Sequence, residues 1–115
     1  LQNDGGNHYT RAQCIVALKA YVDMKRTQKS KRGIMEEISR FYRECLPPNH
    51  SVGSVSRLMC NFQYLDPNDE HPGCDHVSSV ANGVWDEYFD AEIKDIDSIK
   101  LQKDEQDIRM KYRKR

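Results

Sequence analysis

The chain has 115 residues, of which 37% are hydrophobic and 31% charged, and its 18 basic and 18 acidic side chains give a formal net charge of zero. This length and apolar content suit one small domain with a single core. No stretch approaches the roughly 18 uncharged apolar residues of a membrane-spanning helix. No signal peptide is visible either, so we expect an intracellular protein without a membrane partner.

The zero net charge hides an asymmetry between the two parts of the chain. Residues 1–65 contain ten lysines and arginines against five acids, whereas residues 66–115 contain eight against thirteen. A polarised domain can present a basic surface to nucleic acid while its acidic surface stays in solvent. Ordinary surface chemistry is the alternative explanation.

The four cysteines, Cys14, Cys45, Cys60 and Cys74, include no CxxC pair. A chain of this size does not need disulfides, so we expect free and mostly buried thiols in a reducing compartment. That compartment is the nucleus if the host is a eukaryote.

The first half of the chain predicts two helices. Residues 1–9 are rich in Gly and Asn, and we expect them to be disordered. Apolar residues at helical spacing predict a helix over 10–24, and a second helical stripe follows Gly33 and runs to Cys45. Residues 25–32 between them carry five basic groups and no apolar side chain, which predicts a loop or a frayed helix end.

Two further helices and a tail follow Pro47 and Pro48, which must break the second helix. Ser51 is a suitable N-cap for a third helix over 51–62, and apolar spacing predicts a fourth over 77–92. The domain is therefore expected to span 10–92, with a charged helical tail over 93–115 that either packs marginally or projects. The expected fold is mostly α, a compact bundle of about four helices with a helix-turn-helix-like pair and a charged C-terminal helix.

A helix, a short break and a second short helix is the layout of a helix-turn-helix, whose second helix enters the major groove of DNA. Ser54, Arg57 and Asn61 share one face of the third helix, and Ser56 lies beside them. Arg pairs with guanine, Asn with adenine, and Ser with a phosphate or a base. The alternative is that these polar side chains are simply solvated.

The basic segment 25–32 is the second candidate for DNA contact. Its cations could each neutralise a phosphate and so steepen the salt dependence of binding. These residues are Lys25, Arg26, Lys29, Lys31 and Arg32. A solvated linker and a localisation signal are the alternatives. Together with the outward side of the third helix, we expect these residues to form one cationic groove.

Metal and catalytic chemistry have weaker support. His71, Cys74 and His76, with Cys60, offer zinc-ligand types, but their spacing matches no standard zinc finger. The carboxylates over 86–97 are typical of a solvated helix face, and no nucleophile elbow or phosphate loop is present. We therefore expect no enzyme activity, no bound metal and no cofactor.

A series of motifs along residues 9–90 resembles the N-terminal domain that precedes the nuclease in predicted bacterial HNH restriction endonucleases. The matching residues are Thr10-Arg11, Ala17-Leu18, Tyr21, Gly53-Ser54-Val55, Arg57-Leu58, Asn61-Phe62, Leu65-Asp66-Pro67, Gly73, Ser78-Ser79 and Val84-Trp85-Asp86-Glu87-Tyr88. The run from Asn61 to Pro67 is the most specific part. The chain departs from the family pattern at Asn49-His50-Ser51 and at Arg57, which replaces a lysine.

The resemblance implies a module that targets DNA and brings an effector to its site, and the nuclease domain has no counterpart in these residues. The expected partners are double-stranded DNA, with or without modified bases, and an effector such as a nuclease, methyltransferase or transposition factor. The alternative is a protein-interaction or assembly module that uses the acidic stretch 86–97 and the C-terminal helix.

Overall fold

The computed structural model describes residues 8–27, 30–69 and 77–113. Within them the fold is mostly α, as the sequence predicts, with five helices and one two-stranded antiparallel hairpin. The elements are α1 (Arg11–Thr27), α2 (Lys31–Glu44), α3 (Val52–Leu65), α4 (Ser79–Tyr88), β1 (Phe89–Asp90), β2 (Asp95–Ile96) and α5 (Ser98–Tyr112). None of the helices described is long and apolar enough to cross a membrane.

Helix α1 is the centre of the bundle and packs against the four other helices. Its residues 13–18 are consecutive and all fully buried. Such a run leaves no side of the helix to solvent, which requires neighbours all around it. Thr10 begins the helix with a capping box, because its hydroxyl accepts from the amide of Gln13 while the Gln13 side chain accepts from the amide of Thr10.

Gln13 also fixes the connection between α2 and α3 to the core. Its buried side-chain nitrogen donates to the carbonyl oxygens of Leu46 at 2.9 Å and Pro48 at 2.6 Å. The connection covers residues 45–51, which is longer than the three- or four-residue turn of a helix-turn-helix. The pair thus keeps the expected order of helix, break and helix, with a longer link.

Aromatic side chains close the core between α3 and α4. Phe62 lies 6.0 Å from Tyr21 and 6.3 Å from Trp85, measured between ring centroids, and Trp85 stacks on Phe89 at 5.9 Å. These contacts join α1, α3, α4 and the hairpin in one apolar cluster. Burial of large rings of this kind is a major source of stability.

Helix α5 packs along the bundle and does not project. Leu101 is fully buried, and the carboxylate of Asp104 accepts from the Tyr88 hydroxyl. Farther along, the guanidinium of Arg109 forms two hydrogen bonds with Glu37 of α2 and lies over the Phe41 ring. Both ends of α5 are therefore fixed to the core.

Several helix ends differ from the sequence prediction. Helix α1 continues to Thr27 and α2 already begins at Lys31, so most of the basic segment belongs to helix ends. The predicted fourth helix stops at Tyr88, because Phe89 pairs with Ile96 in the hairpin. In the predicted disordered segment, Tyr9 packs against His50, whereas residues 1–7 lie outside the part described.

Three of the predicted free thiols can be located. Cys14, Cys45 and Cys60 are free, and Cys14 is fully buried. Burial raises the pKa of the Cys14 thiol to about 12, so this group stays protonated and behaves as a small apolar side chain. Cys74 lies outside the described residues.

Candidate nucleic-acid interface

Helix α3 contains no acidic residue, although acids are frequent in the chain as a whole. One side of the helix faces the core, and the opposite side carries Gly53, Arg57 and Tyr64, all exposed. Ser56, Cys60 and Gln63 are half-buried and lie between these two sides. The solvent side of α3 therefore carries one cation, Arg57, among uncharged side chains, and the Tyr64 ring lies near its C-terminal end.

Ser54, a predicted DNA contact, is buried and serves the fold. Its hydroxyl lies 2.8 Å from Nδ1 of His50 and 3.1 Å from the Tyr9 hydroxyl. Tyr9 also donates to the Ser54 carbonyl oxygen at 2.7 Å. This network holds residues 8–9 against the start of α3, and the Ser54 side chain does not face solvent.

Asn61, a second predicted contact, is also buried. Its amide nitrogen donates to the Arg57 carbonyl oxygen, and its amide oxygen accepts from the backbone N–H of Ser78, both at 2.8 Å. Ser78 is the N-cap of α4. Asn61 therefore positions the start of α4 on α3, and it has no side-chain group aimed at solvent.

The described cations of the basic segment differ in their partners. Lys25 forms an ion pair with the buried carboxylate of Asp66, and Arg26 donates to Ser98 at the start of α5. Lys31 and Lys25 line the same cavity, together with Gln63 of α3. Lys25 and Arg26 are thus engaged with groups of the fold itself, and Lys29 lies outside the part described.

Helix α2 supplies cations that sequence reasoning missed. The Ser39 hydroxyl donates to the carbonyl oxygen of His50, which directly precedes α3. Ser39 therefore marks the side of α2 that faces α3. Arg32 lies seven residues before Ser39, Glu36 three before it and Arg43 four after it, so all three share that side. Arg32 pairs with Glu36, whereas Arg43 and the exposed Arg40 form no ion pair with a described residue.

We call these side chains together the α2–α3 face. It consists of Lys31, Arg32, Glu36 and Arg43 from α2, and Ser56, Arg57, Cys60, Gln63 and Tyr64 from α3. Five of these residues, Glu36, Arg43, Cys60, Gln63 and Tyr64, were not among the predicted contacts. Tyr64 could have been found, since it lies one heptad after Arg57, but the predicted helix ended at Phe62.

The acidic residues gather at α4 and the hairpin. Glu87, Asp90, Glu92 and Asp97 line a shallow, open depression there together with Lys100. Glu87 is also the partner of Arg11 at the start of α1. The asymmetry of the sequence therefore appears as two different surfaces, the α2–α3 face and this acidic surface.

Metal ligands do not converge in the described part of the chain, where no group of three or more His, Cys, Asp or Glu residues could hold an ion. The zinc alternative depends on His71, Cys74 and His76, which lie outside residues 8–27, 30–69 and 77–113.

Many residues of the family resemblance contact one another. The Tyr21 hydroxyl donates to Asp66, Asn61 accepts from Ser78, Phe62 stacks with Trp85, and Arg11 pairs with Glu87. The motif therefore describes the internal contacts of this fold more than an exposed site. Of the residues it contains, Arg57 is the exposed cation on α3.

Comparisons with models of protein families, with curated proteins and with solved structures gave no match.

Proposed function

We propose that the chain is a DNA-binding and targeting module that contacts duplex DNA through the α2–α3 face and brings an effector protein to its site. The observation that carries this proposal is the pairing of an acid-free helix, α3, with a neighbouring helix that presents cations on the same side. Phosphates attract such a face, and the long-range attraction speeds encounter with DNA.

The dimensions of α3 suit the major groove. Its 14 residues correspond to a length of about 21 Å, and a groove about 12 Å wide admits one helix. Arg57 and Gln63 carry the side chains that pair with guanine and adenine. Lys31 and Arg43 lie to the side, where the phosphates of a bound duplex would run.

The family resemblance supports the same function, since domains of that kind stand before a nuclease. In this proposal the chain supplies targeting and a second protein or domain supplies the chemistry. The residues of the motif that pair inside the bundle keep the DNA-binding helix in place.

A second candidate is a protein-interaction or assembly module that uses the acidic surface and α5. Large apolar side chains are exposed there, with Ile93 at 63%, Ile99 at 84% and Met110 at 62% of full exposure. Exposed apolar groups beside acids suit a partner with basic and apolar residues. Loss of self-association on replacing the exposed Ile93, Ile99 and Met110 by Ser, with no DNA binding, would favour this candidate.

Two charge-matched variants test the main proposal by a binding titration on duplex DNA. Replacing Lys31, Arg43 and Arg57 by Gln removes three cations from the α2–α3 face. Lys31 and Arg43 are the two phosphate contacts among them, and because each phosphate contact contributes about 0.9 to the slope of log affinity against log salt, we expect this slope to fall by about 1.8. Affinity at low salt should fall with it.

The control variant replaces Lys94, Lys103 and Lys111 by Gln, which removes the same charge from the hairpin and α5. We expect it to bind like the unmodified protein. Equal losses in both variants would point to net charge alone, and the absence of binding at low salt would refute the proposal.

A further inference from the structure

One cavity opens at the edge of the α2–α3 face and shares Lys31 and Gln63 with it. It has a volume of about 180 Å³ and lies where the end of α1, the start of α2 and the second half of α3 meet. Its lining includes the apolar side chains of Met24 and Met59 and the ring of Tyr21, and the polar side chains of Lys31, Gln63 and Asp69.

The size of the cavity limits what it can hold. A cavity of about 150 Å³ binds benzene in an engineered protein, whereas pockets for drug-sized ligands and cofactors have about 300–1,000 Å³. A volume of about 180 Å³ therefore fits one six-membered ring. A whole nucleotide is larger than this space.

The lining suits a flat ring with a polar edge. Methionine sulfur makes favourable contacts with aromatic rings, and Met24 and Met59 both line the cavity. The Gln63 amide supplies one donor group and one acceptor, and Lys31 supplies a charged donor. Neither side chain has a hydrogen bond or ion pair with a described residue, so both polar groups are available.

The cavity wall is fixed in advance by a buried polar cluster. The Tyr21 hydroxyl lies 2.8 Å from the Asp66 carboxylate and 3.0 Å from that of Asp69. Lys25 pairs with Asp66 and lies 5.5 Å from the centroid of the Tyr21 ring. Burial raises the pKa of Tyr21, so its hydroxyl stays protonated and continues to donate.

We propose that this cavity receives a single pyrimidine base turned out of a duplex that lies on the α2–α3 face. This inference rests on the proposed function. Lys31 and Gln63 belong to both the face and the cavity, so a base next to α3 needs to move only a short way to enter. Extrusion of a base costs a few kcal/mol, and least where the base is mispaired.

Three duplexes of otherwise equal sequence test the proposal with the unmodified protein. One is fully paired, one contains a T·T mismatch, and one has an abasic site opposite a purine. We expect the mismatched duplex to bind about tenfold more tightly than the paired one, and the abasic duplex to bind like the paired one. Equal affinity for paired and mismatched DNA, or abasic binding as tight as mismatched binding, would overturn the inference.

Variants of two methionines locate the effect. Met24→Phe narrows the cavity with a bulkier and stiffer side chain, and we expect it to weaken the mismatch preference while paired DNA still binds. Met110→Phe makes the same chemical change on exposed α5 and should leave the preference intact. A preference that survives Met24→Phe undiminished in folded protein contradicts the inference.

The outcomes separate the two proposals. Failure to bind any duplex at low salt refutes both the function and the base site. Binding of paired DNA without a mismatch preference refutes only the base site. If Met24→Phe does not fold, the three-duplex comparison with unmodified protein decides alone.

Discussion

His50 is buried at the start of α3, between the rings of Tyr9 and Tyr42. Its Nε2 lies 3.1 Å from the carbonyl oxygen of His8, so in the neutral ring this nitrogen carries the proton and Nδ1 accepts from Ser54. Burial lowers the pKa of His50, and the nearby charge of Arg57 lowers it further. The folded protein therefore prefers a neutral imidazole at this position.

The stability contributed by neutral His50 should depend on pH. Because its pKa is lower in the folded than in the unfolded chain, the unfolded state binds more protons as the pH falls below the ordinary value of 6.5. The contribution is complete above pH 6.5 and is lost as the pH falls through the folded pKa. Urea denaturation at several pH values, for unmodified protein and His50→Gln, measures it.

The difference in free energy of unfolding between the two proteins should be largest above pH 6.5 and shrink toward pH 5. The other histidines occur in both proteins, so their titration cancels in the difference. If this difference in free energy of unfolding does not change with pH, the pKa of His50 is not lowered by folding, which contradicts the prediction.

Residue type alone did not reveal which polar groups of α3 point inward. Ser54, Arg57 and Asn61 have suitable spacing for one surface, and the spacing is the same whether that surface meets solvent or other helices. The direction depends on partners far along the chain, such as Tyr9 for Ser54 and Ser78 for Asn61. The sequence next to Ser54 and Asn61 does not identify these distant partners.

At the scale of elements, α3 and α4 are joined by one buried amide. The oxygen of Asn61 satisfies the N–H of Ser78 at the start of α4, a donor that has no partner within its own helix. The same side chain bonds the Arg57 carbonyl oxygen. Asn61 thus sets the position of α4 relative to the proposed DNA-binding helix.

Asn61→Ala should destabilise the protein by about 1–3 kcal/mol, because a partly buried donor loses its partner. Asn82→Ala in α4 is a matched control, since Asn82 is exposed and its side chain has no hydrogen bond with a described residue. The control should stay within about 0.5 kcal/mol of the unmodified protein. Chemical denaturation compares the two, and equal effects would contradict the role given to Asn61.

Helices whose sequence combines an apolar stripe with an N-cap could be predicted. The apolar stripe and the cap at Ser51 predicted α3, and the Ser51 hydroxyl does accept from the amide of Ser54. The hairpin was not predictable, because two strands of two residues are too short for any alternating pattern. The firm packing of α5 depends on Arg109 meeting Glu37 across 72 positions, which periodicity cannot show.

At the scale of the whole molecule, the charge asymmetry of the sequence corresponds to the acid-free helix α3 on the one hand and to the acids that line the depression at α4 and the hairpin on the other. The sequence did not show which cations belong to the α2–α3 face. Lys25 and Arg26 are adjacent to the others in sequence but face Asp66 and Ser98. Arg43 lies farther along the chain and returns to α3 because α2 packs against it.

The central claim is that duplex DNA docks on the α2–α3 face, and an NMR titration of labelled protein with duplex DNA at low salt tests it most directly. The account predicts that backbone amide shifts change along one side of α2 and α3, strongest around Arg43, Arg57 and Gln63, while those of the hairpin and α5 stay constant. Shift changes concentrated at residues 86–112, or none at any position, would contradict it.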